Sequence, residues 1–261
     1  MSEVGLRYLG NSAFEILSEK GIRILIDPHI TGNQLCPFSI DELLPVDLIL
    51  VSHAAKDHMS DAPELAKKFQ CPVVCDPGVA YYLKKQGILD HQIISMVWGQ
   101  LRPLHGLHIR AVESKHISFQ KDGPFPITGL PLGFIISTES GFKIYHSGDT
   151  SIFSDLQLFG QLYRPDVGLI LVGNYPGALA ELSPKEAALA VRWLHLKWAI
   201  PMHYEKGSPE PQQFVQAVRH HSPKTKAMVM EPGQWQYFKI KGFPSKLKKA
   251  PQEGGEKSSK R

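Results

Sequence analysis

The sequence has few cysteines, no long apolar run and little net charge outside its C-terminal end. The three cysteines, Cys36, Cys71 and Cys75, are odd in number and form no Cys-x-x-Cys turn, so we expect reduced structural thiols. No apolar run reaches the roughly 18 residues that a membrane span needs. The first residues also lack the basic then apolar pattern of a signal peptide. These absences predict a cytoplasmic protein with no membrane association.

Most of the net charge of +4 lies at the C-terminal end. Residues 241–261 contain seven basic and two acidic residues among glycines and serines, so residues 1–240 carry a net charge of about −1. This composition predicts a basic, disordered tail after residue 240. Because the body is not basic, we expect no nucleic-acid partner, while a homo-oligomer stays open.

The length of 261 residues allows one large domain or two small ones, and 43% hydrophobic residues are typical of a globular protein. The predicted strands are 6–9, 13–17, 22–26, 46–51, 71–75, 132–138, 142–145, 167–172, 227–230 and 235–240. The predicted helices begin near residues 60, 183 and 208, and the second has Trp198 on its apolar face. Two β-rich halves, each closed by helices, predict one four-layer α/β/β/α domain over residues 1–240.

Histidine and aspartate side chains follow several of these strands. His53, Asp57 and His58 are predicted in one short loop after the buried strand 46–51. Similar side chains at the ends of later strands are His116, Asp149 and His203. Because strand ends gather at one edge of a sheet, we expect these groups to lie in one cleft. Imidazole and carboxylate together suit zinc, iron or manganese at neutral pH.

Longer motifs around these residues carry a resemblance to a known family. They are Leu25-Ile-Asp-Pro28 with Thr31-Gly-Asn33, Tyr145-His-Ser-Gly-Asp-Thr150 and Ile200-Pro-Met-His203. From Gly5 to about Phe238 the chain resembles the metallo-β-lactamase superfamily, and within it the hydrolases similar to ascorbate-6-phosphate lactonase. The resemblance implies a single-domain, four-layer αββα sandwich with a metal site at the exposed edge between the two sheets.

The resemblance also implies which residues bind metal. The ligands of the first metal would be His53 and His116, those of the second Asp57, His58 and His203, with Asp149 bridging the two. The cofactor would be one or two divalent ions, zinc first, with manganese or iron as alternatives.

One position departs from the family pattern. Where the motif His-x-His-x-Asp-His has its middle histidine, this chain has Ala55. A methyl group cannot coordinate a metal, so we expect the second site to fill first. Ala55 is either natural, leaving a one-metal enzyme or a protein without catalysis, or an engineered inactivating substitution. A third interpretation is compensation by His29, which otherwise lies at the rim and faces the substrate.

The resemblance implies a hydrolase in which a metal-bound hydroxide attacks an ester, lactone or phosphodiester bond of a small-molecule substrate. Asp57 would orient the hydroxide and accept its proton. The candidate substrate-binding residues are His29 and Tyr175, the latter as a donor to a substrate oxygen or as an ordinary buried tyrosine. The alternative from another class is a non-catalytic metal-binding scaffold or ligand sensor whose first site has decayed at Ala55.

Overall fold

The structure, a computed structural model, describes residues 2–173 and 181–240. Within these residues the strands are β1 (Ser2–Gly10), β2 (Ala13–Leu17), β3 (Arg23–Ile26), β4 (Leu48–Leu50), β5 (Val73–Cys75), β6 (Ile93–Ser95), β7 (Leu101–Leu104), β8 (Leu107–Glu113), β9 (Ser118–Asp122), β10 (Phe125–Gly129), β11 (Leu132–Ser137), β12 (Lys143–His146), β13 (Val167–Leu171), β14 (Trp198–Met202), β15 (Lys226–Ala227) and β16 (Trp235–Ile240). The helices are α1 (Lys56–Met59), α2 (Ala62–Phe69), α3 (Pro77–Lys85), α4 (Leu156–Leu162), α5 (Pro184–Trp193) and α6 (Glu210–His221).

Two large mixed sheets form the centre of the described part of the chain. The first sheet has the order β16-β1-β2-β3-β4-β5-β6, and the second has the order β15-β14-β13-β12-β11-β8-β7. The strands from β3 to β6 are parallel, as are those from β12 to β15. Parallel strands of one sheet all end at the same edge, so each sheet collects its βα connections there.

Alternate residues of the first sheet face different layers. Ile24 and Ile26 of β3 are buried in the core between the two sheets. Leu25 and its neighbour Ile49 on β4 belong instead to an outer cluster with Leu65 of α2. This alternation follows from the two-residue period of a strand, and it lets one sheet bury both of its faces.

Helices α5 and α6 cover the second sheet, with α5 against β13 and α6 against β14. Ala187 and Val191 of α5 are fully buried there, as are Phe214 and Val218 of α6. The layers are therefore helices, sheet, sheet and helices, which confirms the predicted four-layer αββα sandwich. The helix predicted near Ser183 begins there as α5.

The loop predicted for Asp57 and His58 is wrong, because both lie on the short helix α1. The carbonyl oxygen of Ala55 accepts the amides of His58 and Met59 at 3.1 and 3.0 Å. The helical turn presents Asp57 and His58 from a fixed backbone, whereas His53 precedes the turn. Ala55 therefore retains a structural role through its carbonyl group.

Two further local predictions are wrong. Trp198 begins β14 instead of lying on α5, because α5 ends at Trp193 and His195, at a φ of 54°, turns the chain back towards the sheet. The strand predicted at 227–230 is reduced to β15, whose last ladder bond runs from the Met228 amide to the Ala199 carbonyl at 3.0 Å. The next ladder donor would be Pro201, which has no N–H.

The predicted tail, residues 241–261, lies outside the described residues, so the division of the chain at residue 240 stays a prediction. Within residues 2–173 and 181–240, the structure contains no helix with both the length and the apolar character needed to cross a membrane.

Candidate metal centre

The candidate ligands lie just beyond strand ends or on the first helical turn that follows. They are His53 after β4, Asp57 and His58 on α1, His116 after β8, Asp149 after β12 and His203 after β14. The structure brings all six side chains into one cluster between the edges of the two sheets. Strand-end placement, the feature used to select these residues from the sequence, is what brings them together.

The cluster divides into two groups of potential ligand atoms, each lying within 4.8 Å of one another. The first half-site is defined as His53, His116 and Asp149. The second half-site is defined as Asp57, His58 and His203. Because Asp149 also approaches both imidazoles of the second half-site, it lies where a bridging carboxylate would lie.

The distances around Asp149 show this central position. Its Oδ2 lies 3.1 Å from His58 Nε2, 3.3 Å from His203 Nε2 and 3.9 Å from His53 Nε2. Asp57 Oδ2 lies 3.3 Å from His203 Nε2 and 3.6 Å from His58 Nε2. Three imidazole nitrogens and two carboxylates thus converge on one small volume.

The electrostatics differ between the half-sites. Burial lowers the pKa of His53 to about 3, so this imidazole is neutral and keeps a lone pair. Burial also opposes the charged form of His203, but Asp149 and Asp57 outweigh it and raise the pKa of His203 to about 9. The same balance of burial against Asp149 and Asp57 raises the pKa of His58 well above its usual value. Asp57 and the neighbouring Asp149 therefore favour positive charge at the centre of the second half-site.

A buried aspartate at the end of β3 orients His58. Asp27 Oδ2 lies 2.8 Å from His58 Nδ1, and Asp27 also accepts the amide and the hydroxyl of Ser52, both at 2.7 Å. Asp27 has a φ of 45°, which is uncommon for a residue other than glycine and is held by these bonds. Asp27 is part of the motif Leu25-Ile-Asp-Pro28, and its place at a strand end is the sequence signal that could have identified this role.

A turn asparagine connects Asp57 and His203. Asn11 Nδ2 donates to Asp57 Oδ2 at 3.1 Å, and the carbonyl oxygen of Asn11 accepts the His203 amide at 2.9 Å. His203 has a φ of 63°, so its side chain is presented from a left-handed backbone. The β1–β2 turn therefore supports two members of the second half-site, a role that the sequence analysis missed.

The first half-site is more open. His116 is exposed, whereas His53 is buried, and the two ring centroids lie 5.2 Å apart. Two hydrogen bonds nevertheless connect the segment around His116 to the segments that hold the other ligands. Ser114 Oγ donates to the carbonyl oxygen of Asp149 at 2.6 Å. The Phe119 amide donates to the carbonyl oxygen of Ala54 at 2.8 Å.

The donor set fits a divalent metal. Two buried polar atoms that face the cluster, His53 Nε2 and Asp149 Oδ1, have no hydrogen-bond partner within the described residues. Buried polar groups are normally satisfied, and unsatisfied imidazole and carboxylate atoms that converge are what a cation such as zinc requires. The ligand roles of the six residues stay a prediction.

A cavity of about 670 Å³ opens beside the second half-site. Its walls include Asp57, His203, His29, Lys56 and Lys206. His29 is half-buried with Nδ1 3.1 Å from Ser60 Oγ, and it belongs to none of the ligand groups found among the described residues. The other candidate substrate-binding residue, Tyr175, lies outside the described residues.

Glu181 is a further acidic residue that the sequence analysis did not select. Its Oε2 lies 3.6 Å from His203 Nδ1, and with Asp149 and His203 it forms a third group of potential ligand atoms within 4.8 Å. Glu181 lies two residues before the capping residue of α5, not at a strand end, so the strand-end criterion gives no signal for it.

Comparison with known proteins identifies the family. Residues 22–204 match the family described as "Beta-lactamase superfamily domain", and this match covers well over half of the chain. The chain therefore belongs to the β-lactamase superfamily, as the motifs predict. The matched range includes all six candidate ligands.

The relatives carry related names. A "UPF0173 metal-dependent hydrolase" from Methanobrevibacter smithii is 36% identical over 236 residues, covering 88% of this chain and 95% of that protein. One from Thermococcus onnurineus is 38% identical over 237 residues, covering 88% and 98%. A solved structure, Igni18, "a novel metallo hydrolase" from Ignicoccus hospitalis, is 31% identical with a TM-score of 0.79 and covers 92% of this chain and 100% of its own. The narrower likeness to ascorbate-6-phosphate lactonase stays a prediction.

Proposed function

We propose that this chain is a metal-dependent hydrolase that acts on an ester, lactone or phosphodiester bond of a small molecule. The observation that carries the proposal is the convergence of imidazole and carboxylate groups around Asp149, where the buried atoms His53 Nε2 and Asp149 Oδ1 have no hydrogen-bond partner within the described residues. Membership of the β-lactamase superfamily and the names of the relatives support it.

The second half-site, with Asp149, would hold the principal ion, and zinc suits its nitrogen and oxygen donors, with manganese or iron as alternatives. When bound, a divalent cation lowers the pKa of a coordinated water towards about 7 and polarises the oxygen of the bond to be cleaved. The first half-site has two imidazoles and only the shared Asp149, because residue 55 is alanine where the family motif has a histidine, so a second ion would bind there more weakly.

Asp57 is a charged carboxylate that is fixed beside the cavity. Burial opposes its ionisation, but His58 and a hydrogen bond from His203 hold the pKa of Asp57 far below its usual value, so the carboxylate is charged. Asn11 donates to its Oδ2 at 3.1 Å, and Asp57 also lines the cavity. Asp57 is therefore placed to orient an attacking water by accepting a hydrogen bond from it. Because a carboxylate of such low pKa is a weak base, proton transfer to Asp57 would require that a bound cation make this water more acidic.

The cavity suits a small polar substrate. Lys56 and Lys206 line it together with Asp57 and Glu205, so it offers charged groups of both signs to a substrate such as a phosphodiester or a lactone. His29, which also lines the cavity, would contact the substrate, and Tyr175 stays a predicted donor. A cytoplasmic location is part of the same proposal.

Ala55 favours one competing function, a metal-binding scaffold or ligand sensor without catalysis. Loss of one imidazole leaves the first half-site with His53, the exposed His116 and the shared Asp149. Such a site would still bind one ion in its second half and still recognise a small ligand in the cavity.

The variant Ala55→His tests the proposal against this competitor. We expect it to bind two zinc ions per chain where the parent protein binds one tightly, and to hydrolyse a generic phosphodiester or a lactone faster in proportion to the second ion. Zinc content is measured by elemental analysis and hydrolysis by product release. Ala55→Leu is the matched control, since it adds bulk without a ligand atom.

Two results would count against the proposal. If Ala55→His binds two ions but hydrolyses neither substrate class faster than the parent does, the scaffold or sensor is favoured. The double variant Ala55→Leu/His58→Ala lacks a ligand of the second half-site. If the parent protein binds divalent metal no more tightly than this double variant does, the proposed metal centre is wrong.

A further inference from the structure

One imidazole nitrogen in the second half-site has no role in the proposed function. His203 directs Nε2 towards Asp57 and Asp149, each at 3.3 Å. Its Nδ1 is buried and has no hydrogen-bond partner within the described residues. Because a metal-binding imidazole is neutral, Nδ1 carries its single proton when Nε2 faces the metal. That proton requires an acceptor, since an unpaired buried donor is costly.

The nearest carboxylate on that side of the ring is Glu181. Its Oε2 lies 3.6 Å from His203 Nδ1, and its side chain is only 7% exposed. A shift of a few tenths of an ångström would bring this contact within hydrogen-bond distance. Burial lowers the pKa of His203, whereas Asp149 and Asp57 raise it. The carboxylate of Glu181 also raises this pKa, but less than Asp149 and Asp57 do.

The backbone holds Glu181 in this position. The following residue, Leu182, is buried in the core, and its carbonyl oxygen accepts the Gly173 amide at 3.0 Å at the end of β13. Ser183 then caps α5. Glu181 is thus followed directly by a residue that hydrogen-bonds to the chain beyond β13 and by the cap of α5, and its carboxylate lies beside His203.

The same arrangement already exists on the other imidazole of the half-site. His58 directs Nε2 towards Asp149 at 3.1 Å, while its Nδ1 lies 2.8 Å from the carboxylate of Asp27. A carboxylate behind a metal-binding histidine fixes its tautomer and raises its basicity. In contrast, the hydrogen-bond partner of His53 Nδ1 among residues 2–173 and 181–240 is the hydroxyl of Ser52, at 3.0 Å.

We propose that Glu181 is a positioning residue for His203, whose Nδ1–H donates to its carboxylate and whose Nε2 is thereby held towards the metal. This inference rests on the proposed function, because it requires a cation in the second half-site. Carboxylates behind both imidazoles would let the second half-site bind an ion tightly, independently of the ligand that Ala55 does not supply to the first half-site.

The test compares zinc affinity in Glu181→Ala, Glu181→Gln and the parent protein by competition with a chromophoric chelator. Loss of a carboxylate behind a metal ligand typically weakens metal binding about 10 to 100-fold, which is the result expected for Glu181→Ala. Glu181→Gln should lose less, because its amide oxygen still accepts the Nδ1 proton. Glu186→Gln is the matched control, since it removes a carboxylate from the start of the same helix without contacting His203.

A His203→Ala background separates positioning from a general structural effect. There, Glu181→Ala should weaken zinc binding no further, because Glu181 acts through the removed imidazole. An equal loss in both backgrounds would overturn the inference, as would a Glu181→Ala protein with parental zinc affinity. Melting temperatures of the metal-free variants check that each is folded. The parent protein's own zinc binding tests the proposed function, so the two failures are distinguishable.

Discussion

The two half-sites share Asp149 but hold their imidazoles in different ways. In the second half-site both rings are buried, with His58 0% and His203 4% exposed. In the first, His53 is buried but His116 is exposed to solvent. The second half-site is therefore preorganised, whereas the first depends on a side chain that must be ordered when a metal binds.

The contrast extends to the residues behind the ligands. Asp27 lies behind His58 and Asn11 behind Asp57, each within hydrogen-bond distance. The corresponding contact of His53 is a single hydroxyl, that of Ser52. The family resemblance assigns the motif position of Ala55 to the first half-site, which has the fewer partners behind its ligands.

The largest expected effect separates the two half-sites directly. His58→Ala should weaken the tight zinc site by more than about 100-fold, because it removes a ligand nitrogen and not merely a partner behind one. His116→Ala should leave the tight site unchanged, since the exposed ring belongs to the weaker half-site. Zinc titration of each variant, with melting temperature as a check on folding, measures the difference.

If His116→Ala weakens the tight site as much as His58→Ala does, the exposed imidazole contributes equally to that site, and the proposed difference between the half-sites is wrong. The parent protein, titrated in parallel, provides the reference affinity.

A smaller effect is expected from the carboxylate behind His58. Asp27→Asn should weaken zinc binding about 10 to 100-fold, because a neutral amide orients the ring less firmly and leaves it less basic. Asp61→Asn is the matched control, since Asp61 is also buried but accepts only the amides of Ile30 and Thr31 at 2.6 and 2.9 Å. If Asp27→Asn and Asp61→Asn have equal zinc affinities, Asp27 does not support the metal site through its contact with His58.

The sequence predicts the fold well because local patterns and the sandwich agree. The capping box at Ser183 marks the start of α5, and the apolar run at 46–51 is buried as expected around β4. Trp198 was misplaced because apolar spacing alone does not reveal where a helix ends. The reversal at His195 depends on a left-handed backbone, which residue type does not specify.

The site is predictable to the extent that strand order brings strand ends together. His53, Asp149 and His203 lie where strand-end placement predicts. The partners behind the ligands are harder to find, since Asn11 and Glu181 lie in a turn and before a helix. Their relation to the ligands arises from packing between distant segments, for which a single sequence contains no local signal.

The smallest expected effect concerns the partner of Asp57. Asn11→Gly removes the amide that donates to Asp57 Oδ2 but keeps the backbone carbonyl that accepts the His203 amide. Glycine also tolerates the φ of 51° at this position. We expect zinc affinity to fall by about three- to tenfold, in line with the roughly 0.5–1.5 kcal/mol of one hydrogen bond.

Asn11→Ala distinguishes the lost amide from a change in the turn. Alanine also lacks the amide but is strained at positive φ, so it should lower the melting temperature of the metal-free protein more than glycine does. If the amide supports Asp57, both variants lose zinc affinity equally. If only Asn11→Ala loses affinity, the turn backbone and not the side chain supports the second half-site, and the contrast between the half-sites rests on their histidines alone.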